Sequence, residues 1–294
     1  MSTILVTGAS GMLGRAVLRR LDREPGVRTV GLCHSRSAPG LRRADLSDAA
    51  SVPALLDDIA PDAIIHAAAI RKPDEFAADV AASRRLNVDA TAALARWTAG
   101  RPGAYLAYVS SDYVFDGSSP PYRPDDPVRP VNAYGRSKAD GEDAIRALVP
   151  GRAGILRVPI LYGDVESLAE SSATAVAETV RRDPRAVLDD WAVRYPTHVD
   201  EVADILAQMA LRKLAGTYHW SGTEALTKYD LGVLAATSEG RDASLLRRSG
   251  APANGSEPRP RDCHLDRSAL ERLGVTTPAI RFTDALRRIL ARFP

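Results

Sequence analysis

Residues 4–14, ILVTGASGMLG, leave few folds open to this chain. Ile4, Leu5 and Val6 make a short apolar run of the buried-strand kind, residues 13–21 form an amphipathic run, and between them Gly8, Gly11 and Gly14 are spaced GxxGxxG. Strand, glycine turn and helix in direct succession predict the opening unit of a doubly wound α/β fold with a parallel sheet, a Rossmann arrangement. Two of the glycines permit a tight turn and close approach of a pyrophosphate to the helix amino end, and the third lets the helix pack near the strand. Gly8, Ser10, Gly11, Met12, Leu13 and Gly14 are therefore candidate dinucleotide contacts.

The alternation continues down the chain. A second strand, residues 29–33, ends in His34, Ser35 and Arg36. An NAD site places an acid about 20 positions after the glycines to hold the ribose hydroxyls, and none stands there. Ser35 and Arg36 are instead candidates for the 2′-phosphate of NADP, since a guanidinium pairs well with phosphate; a solvated loop arginine is the alternative. Residues 41–44 are a short apolar segment. Asp45 and Leu46 are expected to flank the adenine, Asp45 reading equally as a loop carboxylate, and Ser47 to cap the next helix. Ala63–His66 reads as a fourth strand leading to Ala67, Ala68 and Ala69, whose small side chains let a cofactor lie close. His66 reads as a packed core residue. A helix over about residues 81–97 carries Asn87, whose amide braces the site or is an ordinary polar helix position. Repeated strand and helix argue for a parallel sheet covered on both faces.

The stretch most suggestive of chemistry is YGRSK, where Tyr134 and Lys138 stand four apart and so share one face of a helix. A free tyrosine has a pKa of about 10, and an adjacent positive charge favours the phenolate, so Lys138 is expected to lower the value and make Tyr134 a general acid or base. A fifth strand, residues 105–109, ends in Ser110, Ser111, Asp112 and Tyr113. Carboxyl ends of parallel strands are where ligands sit. Ser111 is the candidate hydroxyl for a substrate carbonyl, and Asn132 the expected cap of the helix that carries Tyr134.

Composition narrows the partners. With 294 residues the chain holds one large domain or two closely joined ones, and its 39 basic and 37 acidic residues are interspersed, which points away from nucleic acid and from membrane surfaces. Cys33 and Cys263 are the only cysteines, too few for a disulfide framework or a metal site of their own, which suits a reducing cytoplasm. No apolar run approaches the ~18 residues of a membrane span, and the amino terminus does not read as a signal peptide.

TGASGMLG, SSDYVFDG and the YGRSK stretch preceded by PVNA together resemble the extended short-chain dehydrogenase/reductases of the dTDP-4-dehydrorhamnose reductase branch. The resemblance implies a Rossmann domain over residues 1–163 and a small substrate lobe over 164–294, from which about 197–221 returns to the first domain. It implies a triad in which Ser111 hydrogen-bonds the substrate carbonyl, Tyr134 protonates it, and Lys138 holds the nicotinamide ribose and lowers the tyrosine pKa. RVPILYG, RYPTHVDEVA, GTYHWSG and TKYDL resemble more closely the regulatory beta-subunit family of methionine adenosyltransferase, which implies NADP binding in a partner protein. The reductases usually carry a tryptophan in the segment that here reads Val158, Pro159, Ile160 and Leu161; Pro159 is counted among the candidate cofactor contacts.

Beyond Gly163, residues 168–180 read as helical, and the irregular stretch through Trp191, Arg194, Tyr195 and Pro196 as part of the substrate lobe, Trp191 packing between domains or facing a ligand. Residues 198–211 read as a helix, 218–220 as a strand, and Thr227 with Asp230 as a helix start. Residues 238–263 are rich in Gly, Pro and Arg; RPRD there resembles the family's substrate-lobe motif, so Arg259 and Arg261 are candidates for an anionic ligand or are loop arginines. The expected substrate contacts are Ser111, Asp112, Tyr113, Trp191, Arg194 and Arg259, with no metal. The resulting expectation is an NADP(H)-dependent reductase of a ketone, a keto-sugar nucleotide or related polar metabolite. The alternatives are a regulatory subunit acting on an enzyme partner or as a homo-oligomer, and a sugar-nucleotide epimerase or dehydratase.

Overall fold

Apolar strands and amphipathic helices alternate through the first half of the chain, as the hydrophobic pattern requires. The computed structural model describes residues 1–251 and 257–293. In order come β1 (Ser2–Thr7), α1 (Met12–Leu21), β2 (Val27–Cys33), β3 (Leu41–Arg43), α2 (Val52–Ile59), β4 (Ala63–His66), the short α3 (Pro73–Ala78) and α4 (Val80–Arg84), α5 (Ala90–Ala99), β5 (Tyr105–Ser111), α6 (Ala133–Leu148) and β6 (Ala153–Val158). The second half supplies β7 (Leu161–Tyr162), α7 (Ala175–Arg182), β8 (Val187–Asp189), β9 (Thr197–His198), α8 (Val199–Arg212), β10 (Gly216–His219), α9 (Lys228–Ser238), β11 (Arg247–Ser249), α10 (Ser268–Arg272) and α11 (Phe282–Leu290).

Seven strands form one parallel sheet in the order β3-β2-β1-β4-β5-β6-β10. The strand order reverses between β1 and β4, which opens a crevice at their carboxyl ends. Ile4, Leu5, Val6, Ile64 and Ile65 are buried, because helices cover both faces. The late elements α8 and β10 belong to this body: α8 packs on α1, and β10 extends the sheet beyond β6. Two small parallel pairs, β8 with β11 and β7 with β9, lie outside it.

Several local expectations are corrected. The helix after Leu46 begins at Val52 and its first flanking residue is Ser51, not Ser47. Ser47 instead turns back on Asp45, whose Oδ1 accepts from its backbone N at 2.9 Å and its hydroxyl at 2.6 Å. The expected single helix over 81–97 is interrupted by a π-helical turn, Arg85–Asp89. Within that turn the buried Asn87 abandons the helix surface: its Oδ1 accepts from Ile70 N, and its Nδ2 donates to Ile70 O and to Ser137 Oγ. The helix expected over 168–180 is divided between a 3₁₀ turn at Leu168–Glu170 and α7. Ser171 and Thr174 between them spend their hydroxyls on the carbonyls of Leu161 and Leu168, a local competition with helical bonding. His198 stands before α8 as its cap, with Nδ1 accepting from Asp200 N. The strands β8 and β11 had no clear sequence signal, being three residues each. Part of the loop expected over 238–263, residues 252–256, lies outside the described residues. Thr227 and Asp230 complete a reciprocal capping box.

A buried ion pair fastens α6 to the sheet. Glu142 and Arg157 are 0% and 1% exposed; Arg157 Nε and Nη2 donate to the two carboxylate oxygens at 2.9 and 2.7 Å, and Ser110 Oγ donates at 2.6 Å. Removing one member of such a pair strands the other charge in the core. Glu142→Ala is therefore expected to lower stability by about 3–5 kcal/mol in urea unfolding, and Glu142→Met with Arg157→Met to cost less than that single change. A double variant less stable than Glu142→Ala would contradict this account.

Candidate functional site

The glycine turn has the geometry its spacing requires. Gly8 has φ +68°, and a Cβ there would lie 2.8 Å from Ala68 N. A Cβ on Gly14 would lie 2.2 Å from Gly8 O, so only glycine lets α1 start this close to the turn. Gly11, flanking α1, provides no side-chain cap, while Met12 and Leu13 are buried and anchor the helix. The first-turn N–H groups of α1 thus stand beside a concavity floored by Ala67, Ala68 and Ala69, all half-buried. Buried Thr7 steadies that floor: its hydroxyl accepts from Ala68 N at 3.2 Å and bonds His66 Nδ1 at 2.7 Å. His66 is packed as expected, reaching Thr91 with its other nitrogen, and burial pulls its pKa down to about 3.

His34, Ser35 and Arg36 follow β2 and are exposed. His34 Nε2 lies 3.7 Å from Asp45 Oδ2, which puts Asp45 at the same rim, with Leu46 buried beneath. Arg36 reaches towards the glycine turn: Nη2 is 4.0 Å from the position of a Cβ on Gly11. There it meets two carboxylates, Glu166 at 3.2 Å and Glu170 at 3.3 Å. Pro159 is buried just after β6.

Across the crevice, the end of β5 and the start of α6 form a second wall. Asn132 caps α6, its Oδ1 accepting from Gly135 N at 2.8 Å. Gly135 must be glycine for α6 to approach, because a Cβ would lie 2.1 Å from Tyr113 O. Ser111, Asp112, Tyr134 and Lys138 are buried there. Ser111 Oγ donates to Asp112 Oδ1 at 3.0 Å and accepts from Tyr113 N at 3.2 Å. The Tyr134 ring meets the rings of Tyr113 and Phe76 edge-on, at 5.9 and 6.5 Å between centroids.

Electrostatics here differ from the sequence-based expectation. Burial pushes the Tyr134 phenol up from its ordinary value, opposed first by the neighbouring Ser111 hydroxyl; Lys138 is not among the main groups acting on it. Lys138 points under the helix instead, its Nζ 4.2 Å from the centroid of the Tyr108 ring. Its own pKa is pulled down to about 7 by burial, against the attraction of Glu142. Asp112 is pushed up to about 6, again by burial, with Arg194 opposing. Low polarity thus outweighs pair attraction in this wall.

The substrate-lobe candidates divide. Arg194 is buried beside Asp112, its Cζ 5.7 Å from the Tyr113 ring centroid, but Nη1 is committed to the carbonyls of Val193, Pro260 and Arg261. Arg259 ties the lobe to α3, with Nη2 donating to Asp74 Oδ2 at 2.6 Å. Arg261 contributes its carbonyl to Val193 N. Trp191 is half-buried, and its backbone N donates to Asp189 Oδ1.

Several residues of the site escaped sequence reasoning, Glu166 among them. Tyr108 sits under Lys138, its hydroxyl buried with no hydrogen-bond partner among the described residues and 2.6 Å from the position of a Cβ on Gly141. Glu170 belongs to a segment with no motif, and Arg15 lies on the polar face of α1. The only signal was Tyr108 lying three residues before Ser111 in the strand. Among the described residues, no cluster of acidic, His and Cys side chains suits a metal, and no helix is long and apolar enough to cross a membrane.

The Lys138 shift fixes a pH dependence. Its folded value of about 7 lies below the ordinary 10.5, so protonation costs the fold; the cost is full below pH 7 and is relieved as pH rises from 7 towards 10.5. Lys138→Met is expected to be more stable than the parent at pH 6, by on the order of 2–4 kcal/mol, with the gap closing towards pH 10. Urea unfolding across that range checks this, and a pH-independent gap would refute it.

Comparison with known proteins places the chain in a family. The family model described as the RmlD substrate binding domain matches residues 1–294. The chain is 43% identical over 277 residues to methionine adenosyltransferase 2 subunit beta of Xenopus tropicalis, covering 92% of this chain and 82% of that one. It is 32% identical over 284 residues to the "probable low-salt glycan biosynthesis reductase" of Haloferax volcanii, covering 94% and 93%. The crystal structure of dTDP-4-dehydrorhamnose reductase from Bacillus anthracis in complex with NADP superposes with a TM-score of 0.82 at 22% identity, covering 99% and 100%. The chain belongs to the RmlD substrate-binding-domain family, within the dTDP-4-dehydrorhamnose reductase branch of the extended short-chain dehydrogenase/reductases.

Proposed function

We propose that this chain binds NADP(H) along the glycine turn and reduces the ketone of a polar metabolite, a keto-sugar nucleotide or a relative of one. The observation that carries the reading is that Ser111, Tyr134 and Lys138 are all buried where β5 ends and α6 begins, with the Ser111 hydroxyl beside the Tyr134 phenol. The turn fits a dinucleotide: Gly8 and Gly14 have no space for side chains, and the uncapped α1 start leaves N–H groups for a pyrophosphate. The NADP in the similar Bacillus anthracis reductase supports the choice of cofactor.

NADPH, when bound, supplies the hydride. Ser111 then steadies the carbonyl oxygen, and Tyr134 gives it a proton. The phenol is protonated at neutral pH, as a proton donor must be, and burial raises its pKa further. Lys138 holds the nicotinamide ribose, its Nζ kept in place against the Tyr108 ring. Asp112, which accepts from Ser111, orients that hydroxyl. Arg259 and Arg194 position the far end of the substrate from the lobe side.

A second reading rests on the 43% identity to a methionine adenosyltransferase beta subunit: the chain then holds NADP(H) and acts on an enzyme partner. Both readings include the cofactor and differ in turnover. NADPH oxidation by the purified chain against keto-sugar nucleotides and small polar ketones, with Tyr134→Phe in parallel, separates them. The reductase reading expects Tyr134→Phe to retain NADPH binding within about twofold and to lose at least about 100-fold in kcat. Unchanged turnover in that variant would remove Tyr134 as the acid. NADPH binding without turnover, together with co-purification of a methionine adenosyltransferase catalytic subunit, would establish the second reading instead.

A further inference from the structure

The rim of the glycine turn carries a closed charge network. Arg15 Nη1 donates to the carbonyl of Ser10 at 2.8 Å, and its two terminal nitrogens take Glu170 at 3.0 and 2.7 Å. Glu170 Oε2 also accepts from the backbone N of Glu166 at 2.9 Å, and the Glu170 carbonyl accepts from Arg71. The Glu170 side chain is only 7% exposed, and its arginines hold its pKa below the usual range against burial. Glu170 is therefore built into the wall. Glu166 is not: its side chain is 60% exposed and touches Arg36 at 3.2 Å and Arg15 at 3.4 Å, with no other side-chain bond among the described residues.

Arg36 is the one arginine of this network that follows β2, and it lies over the turn. In the network two guanidiniums face two carboxylates, so a phosphate arriving at Arg36 meets a cation already neutralised and an acidic neighbour. Exposed ion pairs of this kind are worth about 1 kcal/mol or less, so the pair can open. A phosphate dianion is the stronger partner for a guanidinium.

We infer that Glu166 sets cofactor selectivity, its carboxylate occupying Arg36 and being exchanged for the 2′-phosphate when NADP(H) binds. The inference rests on the proposed cofactor reading. A dinucleotide lacking the 2′-phosphate leaves the Glu166–Arg36 pair in place and is indifferent to it. The pair thus weakens NADPH binding while sparing NADH, and narrows the preference that Arg36 confers.

Titration of NADPH and of NADH into the purified protein, followed by nicotinamide fluorescence or calorimetry, tests this without any substrate. Glu166→Gln is expected to tighten NADPH binding by about 3- to 5-fold and to change NADH binding by less than about twofold. In an Arg36→Ala background the same substitution is expected to lose its effect on NADPH. Glu166 is exposed, so the substitution leaves the fold intact, and equal melting temperatures of parent and variant verify this. If the parent binds NADPH and Glu166→Gln leaves the NADPH to NADH ratio unchanged, the inference is overturned and the cofactor reading stands. If the parent binds neither dinucleotide, the cofactor reading falls and the inference with it.

Discussion

Glu142 accepts from Ser110 at the end of β5 and from Arg157 in β6, and through these bonds one helix is fixed against two strands in a single rotation. Lys138 and Tyr134 stand four and eight residues earlier on the same helix, so the anchor that buries Glu142 also decides where they point. Close backbone approaches complete the constraint. Gly135 lets α6 reach Tyr113 O, and Gly141 lets the Tyr108 ring slide beneath the helix. With larger residues at either place the helix would stand off the sheet, and Lys138 would lose the ring over which its ammonium lies.

The same packing determines the electrostatics. Lys138, Asp112, Tyr134 and His66 are all shifted towards their neutral forms, with burial as the first cause in each. Such a wall is dry, and a charge that develops inside it is felt strongly. The opposite rim is built on another principle. Glu170 is built in beside Arg15, while Glu166 pairs with Arg36 at the edge of solvent, where a partner can be exchanged at small cost.

Membership of the family leaves both a reductase and a regulatory subunit in view. The wall around Tyr134 has the parts that proton donation needs, and the 43% identity to a beta subunit covers nearly all of the chain. On the lobe side, Arg194 is committed to backbone carbonyls, and Arg259 ties the lobe to Asp74 in α3. Specificity therefore depends on a few side chains held by irregular backbone, which fold class does not determine.

The strands β1, β2, β4 and β5, the glycine turn and the face shared by Tyr134 and Lys138 were legible in the sequence, because each rests on local sterics and short-range periodicity: a left-handed Gly8, buried apolar runs, a spacing of four on a helix. The Asn132 cap and the Thr227–Asp230 box were legible for the same reason. What lay beyond the sequence were contacts between residues far apart in the chain. The π turn at Arg85–Asp89 follows from Asn87 binding Ile70, and the break before α7 from hydroxyls reaching back to Leu161 and Leu168. The expected lowering of the Tyr134 pKa presumed that Lys138 acts on the phenol through short separation alone; only the tertiary structure shows the ammonium over Tyr108 and the phenol buried. Local chemistry thus fixed which groups are present and on which face. Burial and long-range pairing, which depend on the whole fold, decided their charge, their partners and which of them are free to bind.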